Sequence, residues 1–135
     1  MNKPSDDLFY TKEHEWIRFT AETALIGIAQ FKLTGIPKID NIGLFGFKVG
    51  DLIPQDSILL NLHYREYTIP VHAPVACKLL EINNIVENGS WEMITDQPEG
   101  KGWLFKVAMQ QQYKSHLVHN SLYRERFPLG SIVKS

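Results

Sequence analysis

Several residue types that would announce a function are scarce or missing in this chain of 135 residues. It has one cysteine, Cys77, so no internal disulfide forms and no oxidising compartment is implied. The net charge is −1, which provides no general attraction to nucleic acid or to an anionic membrane. No apolar run is long enough to span a bilayer, and the opening Met1 to Asp7 lacks the apolar stretch of a signal peptide. A cytoplasmic setting is therefore expected. Phosphate-cradling motifs and Ser/His/Asp arrangements are not recognisable, and Gly43-Leu44-Phe45-Gly46 lacks the three-glycine turn of a dinucleotide site. One further gap is local: no lysine occurs between Lys48 and Lys78.

What is present suits one compact domain. Hydrophobic residues make up 44% of the chain and charged residues 21%, ordinary values for a globular protein with a core. Alternation in His14-Glu15-Trp16-Ile17-Arg18-Phe19 predicts a half-buried strand, with Ala24 to Ala29 as its hairpin partner. Gln30 to Thr34 predicts a short helical turn, and Pro37 blocks its extension. A second hairpin is predicted with its tip in His63-Tyr64-Arg65-Glu66-Tyr67. Asn88-Gly89-Ser90 predicts a turn and cap before a short helix over Trp91 to Ile94, with Trp103 to Val107 returning as a strand. Tyr113, Leu117, Val118, Leu122 and Phe127 recur at roughly helical spacing, which predicts a terminal amphipathic helix stopped by Pro128-Leu129-Gly130. Closely spaced short strands with turn residues predict a mainly β fold of sandwich or barrel type.

Several segments together resemble the H protein of the glycine cleavage system, a member of the lipoyl-domain superfamily. Tyr10-Thr11-Lys12-Glu13-His14-Glu15-Trp16-Ile17 is similar to that family's first strand and Ala24 to Ala29 to its second. Gly50-Asp51 and Ala73-Pro74 are similar to the pair of anchors that bracket the modified lysine. Trp91-Glu92-Met93-Ile94 and Gly100-Lys101-Gly102-Trp103-Leu104 resemble its closing segment. The resemblance covers about residues 8 to 108, leaving 109 to 135 as a divergent C-terminal extension of the same single domain. It implies a barrel-sandwich hybrid of the lipoyl/biotinyl type, with short helices and a helical extension, acting as a carrier homologue and not as an enzyme.

At the lysine position the chain departs from the family. Counting sixteen residues forward from Gly50 reaches Glu66, and the spacing to Ala73-Pro74 agrees. A lipoyl arm is joined to a lysine amine as an amide, so a carboxylate cannot take it, and the Arg65 guanidinium is a poor nucleophile. No lipoate or other cofactor is therefore expected. The expected function is a non-lipoylated module that contacts or regulates a glycine-cleavage or lipoate-handling enzyme. The alternative is a working carrier modified at a lysine outside the tip. Glu66 itself reads as a lost modification site, a replacement functional group or a solvated hairpin carboxylate. Tyr64, Arg65, Glu66 and Tyr67 are the interaction candidates, because tyrosine and arginine are enriched where protein partners bind.

The resemblance further implies that Glu15 is a retained cleft residue, while Pro70 replaces the aspartate that would assist it. It also places Asp56 and Cys77 where turn glycines are usual, so the backbone is expected to turn differently there. No catalytic residue is expected: His14 and Glu15, adjacent on a strand, face opposite ways. No metal site is expected either. His116 and His119 would share a helix face, and His63 and His72 flank the hairpin, but a zinc site needs at least three protein ligands. Cys77 reads as a small core residue, with Lys78 pointing away from it.

Overall fold

The computed structural model describes residues 7–109 and 114–127. Two antiparallel sheets share a main apolar core, and a second buried cluster of Leu8, Tyr10, Trp16, Ala29 and Tyr123 lies apart from it. The larger contains β1 (Leu8–Tyr10), β2 (Glu15–Thr20), β3 (Thr23–Ile28), β5 (Leu52–Ile53), β8 (Cys77–Ile82), β9 (Phe105–Ala108) and β10 (Val118–His119). Its spatial order is β10-β1-β2-β3-β9-β8-β5. The smaller is β4 (Asn41–Leu44), β6 (Ile58–Tyr64) and β7 (Tyr67–His72), in the order β4-β6-β7. This is the mainly β sandwich with short helices that the sequence implied.

Period-two patterning sets which face is inside. Ile17 and Phe19 of β2, Ala24 and Ile26 of β3, Phe105 and Val107 of β9, and Leu79 of β8 all point inward and are buried. Leu60, Leu62 and Val71 meet them from the smaller sheet. Trp16 lies on the outer side of β2 yet is fully buried, because its ring covers Gly27 and its indole N–H donates to the Pro98 carbonyl at 2.8 Å. A Cβ on Gly27 would come within 2.6 Å of that ring, so glycine is required there.

Short helical segments close the ends. The predicted turn after β3 is a 3-10 helix, Gln30–Leu33. A further helix, α1 (Asn84–Asn88), which no periodicity signals, begins where the Asn83 side chain accepts from the Ile85 N–H and ends at Gly89 with φ 87. The Trp91 segment forms α2 (Glu92–Asp96) without the expected serine cap.

The extension differs from the sequence reading. Instead of one long helix, Val118 and His119 pair with Tyr10 and Phe9 as β10, and α3 covers only Asn120–Arg126. Two edge-strand hydrogen-bonding positions of β1 take precedence over the helical spacing of Leu117 and Val118. Tyr113 and the stop at Pro128-Leu129-Gly130 lie outside the described residues. Tyr123 then stacks on Tyr10 at 3.7 Å, and Glu99 accepts from Tyr10 Oη at 2.6 Å and from Arg124, fastening the extension to the sandwich.

Candidate functional site

β6 and β7 pair as far as Tyr64 opposite Tyr67, so Arg65 and Glu66 alone make the turn. Two-residue hairpin turns need positive φ, which normally selects glycine or asparagine. Here Arg65 takes φ 55. Its N–H donates to Asp40 Oδ2 at 2.7 Å, and its guanidinium carbon lies 5.2 Å from the Tyr64 ring centre. Arg65, Glu66 and Tyr67 are exposed, Tyr67 by 61%, and Tyr64 is half-buried. The Glu66 carboxylate has no hydrogen bond or ion pair among the described residues. The four candidates thus form one protruding surface: a cation stacked on one tyrosine, a second tyrosine opposite, and a solvated carboxylate at the apex.

The lysines that bracket the gap lie elsewhere. Lys78 is on β8 opposite Leu52, in the other sheet, and Lys48 precedes the Gly50 turn, its backbone N–H donating to Asp51 Oδ2. A scan limited to the hairpin's sequence neighbours misses Lys38. Its ammonium is 3.6 Å from Asp40 Oδ1, so one carboxylate joins it to the tip turn, and its side chain is 74% exposed. Only strand register brings it there: Asn41 lies opposite His63, and the chain before β4 runs on beside the tip. No sequence pattern near Glu66 signals that placement.

Glu15 is in a different setting. It is 1% exposed, and both carboxylate oxygens are engaged. Oε2 accepts from the His72 N–H at 2.7 Å and meets His72 Nδ1 at 2.7 Å; Oε1 accepts from Thr11 Oγ1 at 3.0 Å. The pair joins β2 of one sheet to the end of β7 in the other, the end away from the tip. Pro70, two residues earlier, offers its carbonyl to the Lys32 ammonium at 3.5 Å. Local sequence around Glu15 does not reveal His72 as its partner, since they are 57 residues apart.

The remaining candidates separate. His14 sits at φ 64, with Nδ1 2.8 Å from Tyr123 Oη and its ring against Phe31 and Phe127. Burial, then the nearby Lys32 cation, holds its pKa below the usual histidine value. His63 Nδ1 lies 3.4 Å from Thr68 Oγ1, and His116 Nε2 2.6 Å from the Pro74 carbonyl. His116 and His119 do not share a helix, because both precede the body of α3. No group of three metal-type ligands occurs among the described residues. Cys77 is 7% exposed, and burial pushes its thiol up to about 12. Such a thiol is a core group and is not a nucleophile at neutral pH. Asp56 takes a left-handed backbone at φ 70, a region in which glycine is favoured; Cys77 is the first residue of β8 and has no positive φ.

Comparison with known proteins agrees with this architecture. The glycine cleavage H-protein family profile matches residues 8–127. The chain belongs to the glycine cleavage H-protein family. A glycine cleavage system H protein of Carboxydothermus hydrogenoformans is 33% identical over 78% of this chain and 79% of its own length. One from Methylacidiphilum infernorum is 34% identical, covering 81% and 82%. The crystal structure of a glycine cleavage system H protein from Mycobacterium marinum superposes with a TM-score of 0.74 at 22% identity, over 90% of this chain and 96% of that one. H proteins are lipoyl carriers that meet the glycine-cleavage enzymes and are not themselves enzymes. This member has the family's fold. Among the described residues no helix is long and apolar enough to cross a membrane.

Proposed function

We propose that this chain is an H-protein-type docking module that carries no lipoyl arm and acts as an interaction or regulatory partner of a glycine-cleavage or lipoate-handling enzyme. The observation that carries this reading is the carboxylate of Glu66, exposed and unpaired at the apex of the hairpin where the family resemblance calls for an amine. An acyl group transferred to an amine leaves a stable amide; a carboxylate offers no nitrogen for that bond. Tyr64, Arg65 and Tyr67 supply the contact area at the same apex, with aromatic rings that lose little rotamer entropy on docking.

Calorimetric titration of the chain into each purified glycine-cleavage enzyme and lipoate-attaching enzyme tests the reading. The Tyr64→Ser/Tyr67→Ser variant is expected to bind at least tenfold more weakly to the cognate enzyme, because aromatic anchors commonly contribute about 2 kcal/mol each. Unchanged affinity would remove the tip from the interface.

A carrier modified at another lysine has one specific observation in its favour. Lys38 is exposed and linked through Asp40 to the tip turn. It stands beside the hairpin and not on its apex, so its amine approaches a ligase from the segment before β4. Peptide mapping decides between the readings, since an acyl adduct on Lys38 would establish the carrier.

A further inference from the structure

The outer face of the seven-stranded sheet carries Lys78 and Lys106, for which the sandwich has little use, and Arg18, which is partly engaged. Residues directly opposite in an antiparallel ladder share a face. Arg18 lies opposite Leu25, Leu25 opposite Lys106, and Lys106 opposite Glu81; one rung along, Ala108 lies opposite Lys78, and Lys78 opposite Leu52. Their chain neighbours Phe19, Ala24, Val107, Leu79 and Ile53 are all buried on the inner face, so this set points out. Lys78 and Lys106 have no hydrogen bond, ion pair or ring contact among the described residues. Arg18 stacks over Trp16 and donates weakly to the Glu99 carbonyl at 3.4 Å, while its buried Nε has no partner. Glu81, directly opposite Lys106, is an acid on that face, and Glu22 lies in the turn between β2 and β3.

An apolar seat adjoins the cations. Leu52 is 77% exposed on the edge strand β5 beside Lys78. A cavity of about 710 Å³ opens there, lined among the described residues by Leu52, Pro54, Gln55, Val75, Cys77 and Met109. Lys78 borders the apolar seat, while Lys106 on β9 and Arg18 on β2 lie further across the sheet; three spread cations are too few for a polybasic lipid-binding surface, which uses clusters of four to eight. Positive charge beside an apolar opening complements a segment that bears both carboxylates and an apolar side chain.

We propose that this face docks an acidic polypeptide segment bearing an apolar side chain, which enters the Leu52 cavity while its carboxylates meet Lys78, Lys106 and Arg18. The face belongs to the larger sheet and the hairpin tip to the smaller, so both surfaces are available at once. The chain can therefore bridge two proteins. This inference does not depend on the tip reading, because the two surfaces share no residue.

The test is an amide-resolved NMR titration of the full chain with a blocked Glu-Leu-Glu-Glu-Leu-Glu peptide. Shifts are expected along β3, β8, β9 and at Leu52, with binding weakened at least fivefold between low and high salt. Lys78→Gln/Lys106→Gln is expected to reduce affinity about tenfold, in line with loss of two interfacial charges. Leu52→Ala, an exposed substitution that leaves the fold intact, is expected to reduce it several-fold; Glu66→Lys should leave it unchanged. Equal binding of a Lys-Leu peptide of the same pattern, shifts confined to the hairpin tip, or affinity unaltered by both Leu52→Ala and the double lysine variant would overturn the proposal. Stronger binding to phosphatidylserine vesicles than to the peptide would overturn it as well, assigning the face to a membrane.

Discussion

Glu66 and Glu15 are the same side chain in opposite circumstances. Glu66 is exposed at a turn and makes no hydrogen bond or ion pair among the described residues. Glu15 is 1% exposed and receives hydrogen bonds from Thr11 and from both the backbone and ring of His72. A carboxylate withdrawn from water persists only when its lone pairs are satisfied, so Glu15 is a structural tie between the sheets. Stability thus rests on one glutamate and not on the other: an exposed site can change identity without disturbing the fold, whereas a buried one is fixed by its partners.

The largest effect is expected at Glu15. Glu15→Ala leaves the His72 N–H and Thr11 hydroxyl without their acceptor, and should cost about 3 kcal/mol in urea unfolding. A loss under 1 kcal/mol would make Glu15 as dispensable as Glu66 and erase the distinction.

His14 is the next probe, through pH. Its folded pKa is lowered from 6.5, so the unfolded chain takes up the proton first. This contribution to stability is intact above 6.5, declines as pH falls through that value, and levels off once the folded ring is protonated. Melting temperature followed between pH 7.5 and 5 should fall more steeply for the natural chain than for His14→Asn, a residue that also accepts φ 64. Parallel curves would mean that the ring does not report on the latch to Tyr123.

Asp56→Gly should stabilise the chain by about 0.5 kcal/mol, because the backbone already has the φ 70 that a side chain resists. Chemical denaturation with a lowered midpoint would show instead that the aspartate has a local role. The smallest effect is expected for Glu66→Lys, within about 0.5 kcal/mol of the natural chain, as for an exposed substitution with no partner. Destabilisation above 1 kcal/mol would show that the tip carboxylate is structural after all.

Much of the fold was legible because it rests on alternation. The β2 and β3 patterns, the β6–β7 hairpin and the short turn at Gln30 all follow from residues close in sequence, and the tip position follows from two anchors at fixed spacing. What escaped depends on partners far along the chain. Helical spacing around Leu117 gave no hint that β1 would recruit Val118 and His119 as an edge strand, and nothing near Glu15 points to His72. The positive φ of Asp56 was not legible in the sequence, because aspartate enters that region only in part of its occurrences. Lys38 reaches the tip only through cross-strand register, which a linear scan for lysine does not see.

The central claim is that no acyl arm is attached to this chain. Intact-mass measurement of the protein purified from its own source cells tests it most directly. The account predicts the unmodified polypeptide mass, with Lys38, Lys48 and Lys78 recovered unmodified on peptide mapping; a lipoyl or octanoyl mass increment on any lysine would contradict it.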